Sequence, residues 1–189
     1  MSEKIRCGWC GNDKLYQDYH DNLWGKPVYD DAILFEFLLL EGFQAGLSWI
    51  TILKRREGFR AAFDNFDYKK IAQYDEKKLQ ALMTDERIIK NKLKIQASVT
   101  NAKAFMEVQK EFGSFSNYFW GFTNGKIIDN KPKELKDIPA QTQLSDTISK
   151  DMKKRGFKFV GSTIIYAHMQ ATGMVNDHVQ SCWVRGKNN

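Results

Sequence analysis

Lys154-Arg155-Gly156-Phe157-Lys158-Phe159-Val160-Gly161-Ser162-Thr163 joins a basic stretch to an apolar one. Upstream, Ser145 to Arg155 reads as a helix with Lys150, Lys153, Lys154 and Arg155 toward its end. Downstream, a second helix is predicted from about Val160 to Thr172. Gly156 and Gly161 permit a tight hairpin between them. Such a turn exposes backbone N–H groups at the start of the next helix, where a phosphate is well held. The segment is thus expected to join two helices and to meet an anion.

Working outward, the same helical period recurs. Asp30 or Asp31 can cap a helix through Ile33, Leu34, Phe37, Leu38 and Glu41. Ser48 can cap another, with Ile50, Leu53, Phe59 and Phe63 inward. Residues 67–83 hold one or two short helices, and residues 85–111 a longer helix or a broken pair. Residues 123–140, with Gly125, Asn130, Pro132 and Pro139, form the one extended loop, with room for a short hairpin. No stretch alternates with period two, and only three prolines interrupt the chain. The expected class is all-α.

A length of 189 residues and 42% hydrophobic content predict a single domain, 1–189, with two lobes allowed. No apolar run is long enough to cross a bilayer. Met1-Ser2-Glu3-Lys4 leads into no apolar signal segment, and three cysteines, an odd number, argue against a disulfide framework. A reduced cytoplasmic setting is expected. The net charge of +6 permits a polyanion partner without demanding one.

Cys7 and His20 stand near one end, His178 and Cys182 near the other. These are four of the chain's six cysteines and histidines, which makes their clustering informative. His178 and Cys182 are four apart, so a helix through them would turn both to one face. Cysteine and neutral imidazole are the donors zinc prefers, and four of them close a tetrahedral site. One Zn²⁺ would fasten the two ends together. Spacing alone leaves two alternatives open. The cysteines are also suited to be small buried apolar residues. Cys10 is a rival ligand, because Cys7-Gly8-Trp9-Cys10 is itself half a zinc knuckle.

Trp9, Tyr16, Tyr19, Trp24 and Trp49 cluster in the first quarter of the chain. Aromatic rings either fill a core or build a stacking box for a planar ligand. Glu41 sharpens the choice. It ends an apolar helical run before a glycine-broken loop, Gly42 to Gly46. A carboxylate beside rings suits a cationic or amino-bearing planar group. The alternative is a solvated glutamate at a helix end.

These residues carry a resemblance. Arg6-Cys7-Gly8-Trp9, Tyr19-His20-Asp21-Asn22-Leu23-Trp24-Gly25 and Gln44-Ala45-Gly46-Leu47-Ser48-Trp49-Ile50 resemble the bacterial DNA-3-methyladenine glycosylase I family. So do Lys154 to Gly161 and Asn176-Asp177-His178-Val179, in the same order and over nearly the full chain. The resemblance implies an all-α helix–hairpin–helix glycosylase with one structural Zn²⁺ held by Cys7, His20, His178 and Cys182. Cys10 is not part of that pattern. The resemblance puts Glu41 in the role of base-recognition and catalytic carboxylate. It puts Tyr19 and Trp49 in the base pocket with Trp9, Tyr16 and Trp24, and sends Leu47 into the gap left by an extruded nucleotide. Gly46, Lys158, Gly161 and Ser162 are expected to be the accompanying DNA contacts.

One departure from the wider superfamily stands out. A catalytic Asp is common after the hairpin in a Val-Asp-x-His-like run. Here Val175-Asn176-Asp177-His178 puts Asn176 in that place, with Asp177 one residue out of register and turned elsewhere. The chemistry offers a reason, because a base methylated at N3 is already cationic and leaves without a strong acid. The implied partner is double-stranded DNA containing 3-methyladenine, the product free 3-methyladenine, and the expected state a monomer. Two other classes compete. A zinc-stabilised DNA-binding module explains the charge but leaves Glu41 idle. A zinc deaminase needs His-x-Glu with Pro-Cys-x-x-Cys, and neither is present.

Overall fold

A computed structural model describes residues 4–185, so Met1, Ser2 and Glu3 of the leading segment lie outside the described residues. Among them are ten α-helices: α1 Lys14–Asn22, α2 Asp31–Gln44, α3 Trp49–Lys54, α4 Arg56–Ala62 and α5 Tyr68–Ile71, then α6 Glu76–Thr84, α7 Lys92–Phe112, α8 Phe115–Gly121, α9 Gln143–Lys154 and α10 Ser162–Ala171. Helical turns of 3₁₀ type cover Gly8–Cys10, Asp64–Phe66 and Leu135–Asp137.

α2 is the axis of the molecule. Every residue from Leu34 to Phe43 is buried, as expected of a helix that is apolar nearly all round. Phe35, Phe43, Phe59, Phe63, Phe105, Phe115, Phe119 and Phe157 fill the main core around it. Truncating one such ring costs about 3–5 kcal/mol. A second apolar cluster gathers Cys7, Tyr19, Trp24, Phe37, Leu53, Ala171, Val179 and Cys182 on another side of α2. The candidate cysteines Cys7 and Cys182 and the aromatics Tyr19 and Trp24 belong to this smaller cluster, with Trp9, Tyr16 and Trp49 packed against it.

The cap of α2 resolves a choice the sequence left open. Asp30 caps α2 itself, accepting from the Ile33 N–H at 3.0 Å. Asp31 instead caps α8, accepting from the backbone N–H groups of Phe115 and Ser116 at 2.8 Å each. Ser48 takes the N-cap position of α3, but its hydroxyl meets Thr51 rather than a backbone N–H. The long helix expected over 85–111 begins only at Lys92, where Asn91 accepts from the Lys94 N–H. The aromatic run Phe115–Gly121 forms α8, an element the sequence reading did not place.

The loop over 123–140 contains no hairpin. Ile128–Asp129 pairs in parallel with Val175–Asn176, so its partner lies beyond α10. Gly173, at φ +72°, makes this return possible. A Cβ there would stand 2.3 Å from the backbone of Lys26, which only glycine avoids.

The basic and apolar helices of the opening segment are α9 and α10. Thr142 and Ser145 exchange side-chain and backbone hydrogen bonds at the start of α9. Gly156, at φ +94°, ends α9 in the left-handed region, with the Phe157 N–H returning to Met152 O at 3.1 Å. Ser149 Oγ donates to Val160 O at 2.6 Å and fixes the far arm of the hairpin to α9.

Candidate active site

The five aromatics named above converge. Asp13 caps α1 and directs Tyr16 and Tyr19 to one side of it. The Trp9 ring lies 5.0 Å from Tyr16 and 4.9 Å from Trp24. Tyr19 lies 5.5 Å from Trp49, the first residue of α3. Together with Glu41 they line a cavity of about 440 Å³, within the range of small-ligand sites, roughly 300–1,000 Å³.

Glu41 is only 4% exposed. No described residue donates a hydrogen bond to its carboxylate, and burial pushes its pKa up to about 8. It sits in the last turn of α2, where the helix dipole also disfavours a negative charge. A stability-driven arrangement would not put an unpaired acid here, so the solvated helix-end alternative is excluded. The helix does not break at Gly42 as the sequence reading supposed. It runs on to Gln44, and Gly42 is where Phe159 of the hairpin approaches, 3.6 Å from an added Cβ. Burial also raises the Tyr16 and Tyr19 hydroxyl pKa values, with the nearby Glu41 adding to the effect, so both stay protonated.

Part of the cavity wall was missed by the sequence reading. α10 contributes Tyr166 and Gln170, four residues apart on one helical face. Leu135, Ile138, Pro139 and Ala140 add an apolar strip from the long loop. Behind the α10 wall lies Asp177, fully buried. It accepts from Tyr166 Oη at 2.6 Å, Gln170 Nε2 at 2.9 Å and Asn130 Nδ2 at 2.7 Å. The aspartate one residue out of register therefore supports the wall from behind. Asn176 Oδ1 turns instead to the His178 N–H at 3.3 Å. The i, i+4 pair on α10 was a usable signal for Tyr166 and Gln170. Nothing local pointed to Asp177 as their partner.

Cys7, His20, His178 and Cys182 form a second centre beside the first. Their donor atoms all lie within 4.8 Å of one another, and all four residues are buried. Cys7 Sγ is 3.6 Å from His178 Nδ1, and Cys182 Sγ is 3.5 Å from both His20 Nε2 and His178 Nδ1. Donors around one tetrahedral ion at bond lengths of ~2.0–2.3 Å are spaced by ~3.3–3.8 Å, and these three separations fall in that range. The outer ring nitrogens are already placed. His20 Nδ1 meets Asp21 at 2.8 Å, and His178 Nε2 meets Trp24 O at 3.3 Å. Hydrogen bonding from Cys7 and the two imidazoles holds the Cys182 thiol far below its ordinary pKa, while Cys7 is pushed up as the donor of that pair. Cys10 stays outside the cluster and donates to Cys7 O at 3.2 Å. Residues 178–182 are a turn, closed by Cys182 N–H to Val179 O, and not the helix on which their spacing was first read.

Of the expected DNA-facing residues, Gly46, Leu47 and Lys158 are exposed, with Leu47 at 37%. Gly161 is half-buried as the N-cap of α10. The Ser162 hydroxyl is engaged by Ser145 Oγ at 2.7 Å.

A helical fold that frames one unpaired acid with five rings has the shape and chemistry suited to a flat, cationic or amino-bearing ligand. The methyladenine glycosylase family matches residues 9–185, and the chain belongs to it. DNA-3-methyladenine glycosylase 1 of Escherichia coli is 49% identical, covering 94% of this chain and 95% of its own. The DNA-3-methyladenine glycosylase of Haemophilus influenzae is 47% identical, over 94% and 96%. The solved structure of 3-methyladenine DNA glycosylase I from Staphylococcus aureus, described for its recognition of 3-methyladenine, is 35% identical. It superposes with a TM-score of 0.94 over 97% of this chain and 98% of its own.

Proposed function

We propose that this chain is a base-excision repair glycosylase that hydrolyses the N-glycosidic bond of 3-methyladenine in double-stranded DNA. It releases the free base and leaves an abasic site. The observation that carries this reading is the unpaired, buried Glu41 among aromatic rings in a chain of this family. The chain acts as one domain of the helix–hairpin–helix glycosylase superfamily, as a cytoplasmic monomer. No described helix is long and apolar enough to cross a membrane.

The damaged nucleotide is extruded from the duplex at a cost of roughly a few kcal/mol. Leu47 enters the gap, with Gly46 allowing close approach. Lys158 and the backbone N–H groups near Gly161 and Ser162 meet phosphates. Tyr19 and Trp49 pack on the base, with Trp9, Tyr16 and Trp24 behind them, and favour a cation by about 0.5–2 kcal/mol. Glu41 accepts from the exocyclic amine. Burial keeps its carboxyl protonated in the empty cavity, and it releases that proton to solvent when a cationic base supplies the missing partner. The electron pair of the glycosidic bond moves onto the ring and cancels its charge. Water adds to the sugar carbon and gives up its proton to solvent. Unmodified adenine carries no such charge and leaves poorly. No lysine among the described residues lines the cavity as an amine nucleophile, and the strand stays intact.

The Cys7, His20, His178, Cys182 set takes one Zn²⁺. A closed four-ligand site supplies structure and no activated water. It ties the segment bearing Trp9, Tyr16 and Tyr19 to the turn that follows β2, Val175–Asn176.

The deciding experiment is incubation with alkylated duplex DNA, followed by analysis of released bases without heat or alkali. Free 3-methyladenine in excess over 7-methylguanine, with unbroken strands, is the expected result. Binding of duplex without any base release would favour the DNA-binding-module reading instead.

A further inference from the structure

The two loops assigned to DNA lie far apart in sequence, and one face of α7 holds both. Lys94 and Asn101 stand seven residues apart, two turns of helix. Each is a buried polar side chain, 8% and 4% exposed, and each is committed to backbone of a different loop. Lys94 Nζ donates to Phe43 O at 3.0 Å and to Ala45 O at 2.8 Å, carbonyls that open into the Leu47 loop. Asn101 Oδ1 accepts from the Lys158 N–H at 2.7 Å, and its Nδ2 donates to Lys158 O at 3.0 Å. Asn101 therefore takes both backbone polar groups of one hairpin residue.

The next residue supports the reading. Phe159 is held at φ +54°, a left-handed conformation unfavourable for a bulky side chain. Such a conformation persists only where surrounding contacts over-determine it. Its ring lies 5.9 Å from Lys94 Nζ, and its backbone and Cβ pack on Gly42 of α2. The end of α2, the hairpin and α7 thus meet at one point. Water or a following glycine would satisfy the α2 carbonyls equally well. A buried ammonium, whose pKa burial pushes down, adds something neither supplies, because it fixes those carbonyls to a rigid helix. Neither Lys94 nor Asn101 lines the base cavity.

We propose that Lys94 and Asn101 are positioning residues for DNA engagement, using α7 to set the separation between the Leu47 loop and the hairpin. Insertion at the lesion and grip on the backbone then occur in register. This rests on the assignment of those two loops to DNA made above. A misplacement of about 1 Å at such a contact is enough for an effect of about 10²-fold.

The test separates DNA engagement from base binding. Lys94→Met keeps the apolar stem and removes the donor, and Asn101→Ala removes the clamp. Asn101→Ser takes its place if the alanine variant does not fold. Free 3-methyladenine binding is read by tryptophan fluorescence, duplex binding by anisotropy, and excision by single-turnover rates against DNA concentration, all well below the melting temperature. Free-base affinity is expected to stay within about twofold of wild type, while half-saturation by DNA rises about tenfold or more. The double variant should be no worse than the worse single one, because either break uncouples the loops. Lys94→Arg should recover most of the DNA affinity. Unchanged DNA half-saturation in both folded variants overturns the proposal. So does a loss of free-base binding in step with DNA binding, which marks a merely structural role. If wild type binds duplex but releases no base, the glycosylase reading fails, while the anisotropy arm still decides the roles of Lys94 and Asn101.

Discussion

Glu41 and Asp177 are both buried carboxylates near one cavity, and they are treated in opposite ways. Asp177 accepts three side-chain hydrogen bonds, from Asn130, Tyr166 and Gln170. Glu41 accepts none from a described residue, and burial alone lifts its pKa to about 8. A saturated buried acid stabilises the groups that point at it. An unsatisfied one costs stability and is retained only where a ligand completes it. By this measure Asp177 is scaffold, fixing Tyr166 and Gln170 in the cavity wall. The acid on α2 faces the cavity without a partner among the described residues.

Four experiments sharpen or break that contrast. The largest effect is expected from Glu41→Gln, which should slow 3-methyladenine excision by about 10²-fold or more, or about 2.7 kcal/mol. Single-turnover base release measures it, and a rate equal to wild type would end the catalytic assignment of Glu41. Asp177→Ala leaves three donors without their acceptor. It should lower stability by about 2–3 kcal/mol, a melting-temperature drop of roughly 4–12 °C by calorimetry. A melt identical to wild type would mean that Asp177 is not the support described here.

The third effect depends on pH and has a sign. Glu41 holds its proton in the fold up to about pH 8 but loses it near pH 4.5 when unfolded. Between these values the folded state binds more protons, so wild-type stability falls as pH rises. Glu41→Gln lacks this penalty. It should match wild type near pH 4.5 and exceed it by a margin that widens up to about pH 8 in urea titrations. A gap independent of pH would show that the carboxyl is not desolvated. Trp49→Ala should weaken free 3-methyladenine binding by about 3- to 30-fold through lost stacking and cation–π attraction. Titration by calorimetry reads the change, and an unaltered affinity would place the base elsewhere in the cavity.

The Cys–His cluster repeats the lesson on another scale. All four candidate ligands were named from residue type and position, yet the helix invoked to align His178 with Cys182 does not exist. A tight turn brings them together, and the pairing of Cys7 with His178 across the molecule does the rest. Spacing was informative, but the geometry behind it was tertiary.

The sequence by itself determined the helical class and the hairpin between α9 and α10, and it marked the Cys–His residues, Glu41 and the five rings as candidates. Each is written in local period, in glycine placement or in scarce residue types, which no distant contact alters. The tertiary structure alone decided that Asp31 caps α8 rather than its own helix. It decided that Ile128–Asp129 pairs beyond α10, that Asp177 backs Tyr166 and Gln170, and that Lys94 and Asn101 hold two distant loops. Those are choices of partner for a buried polar group. Residue type fixes that such a group must be satisfied, and only the packed fold fixes by which other group.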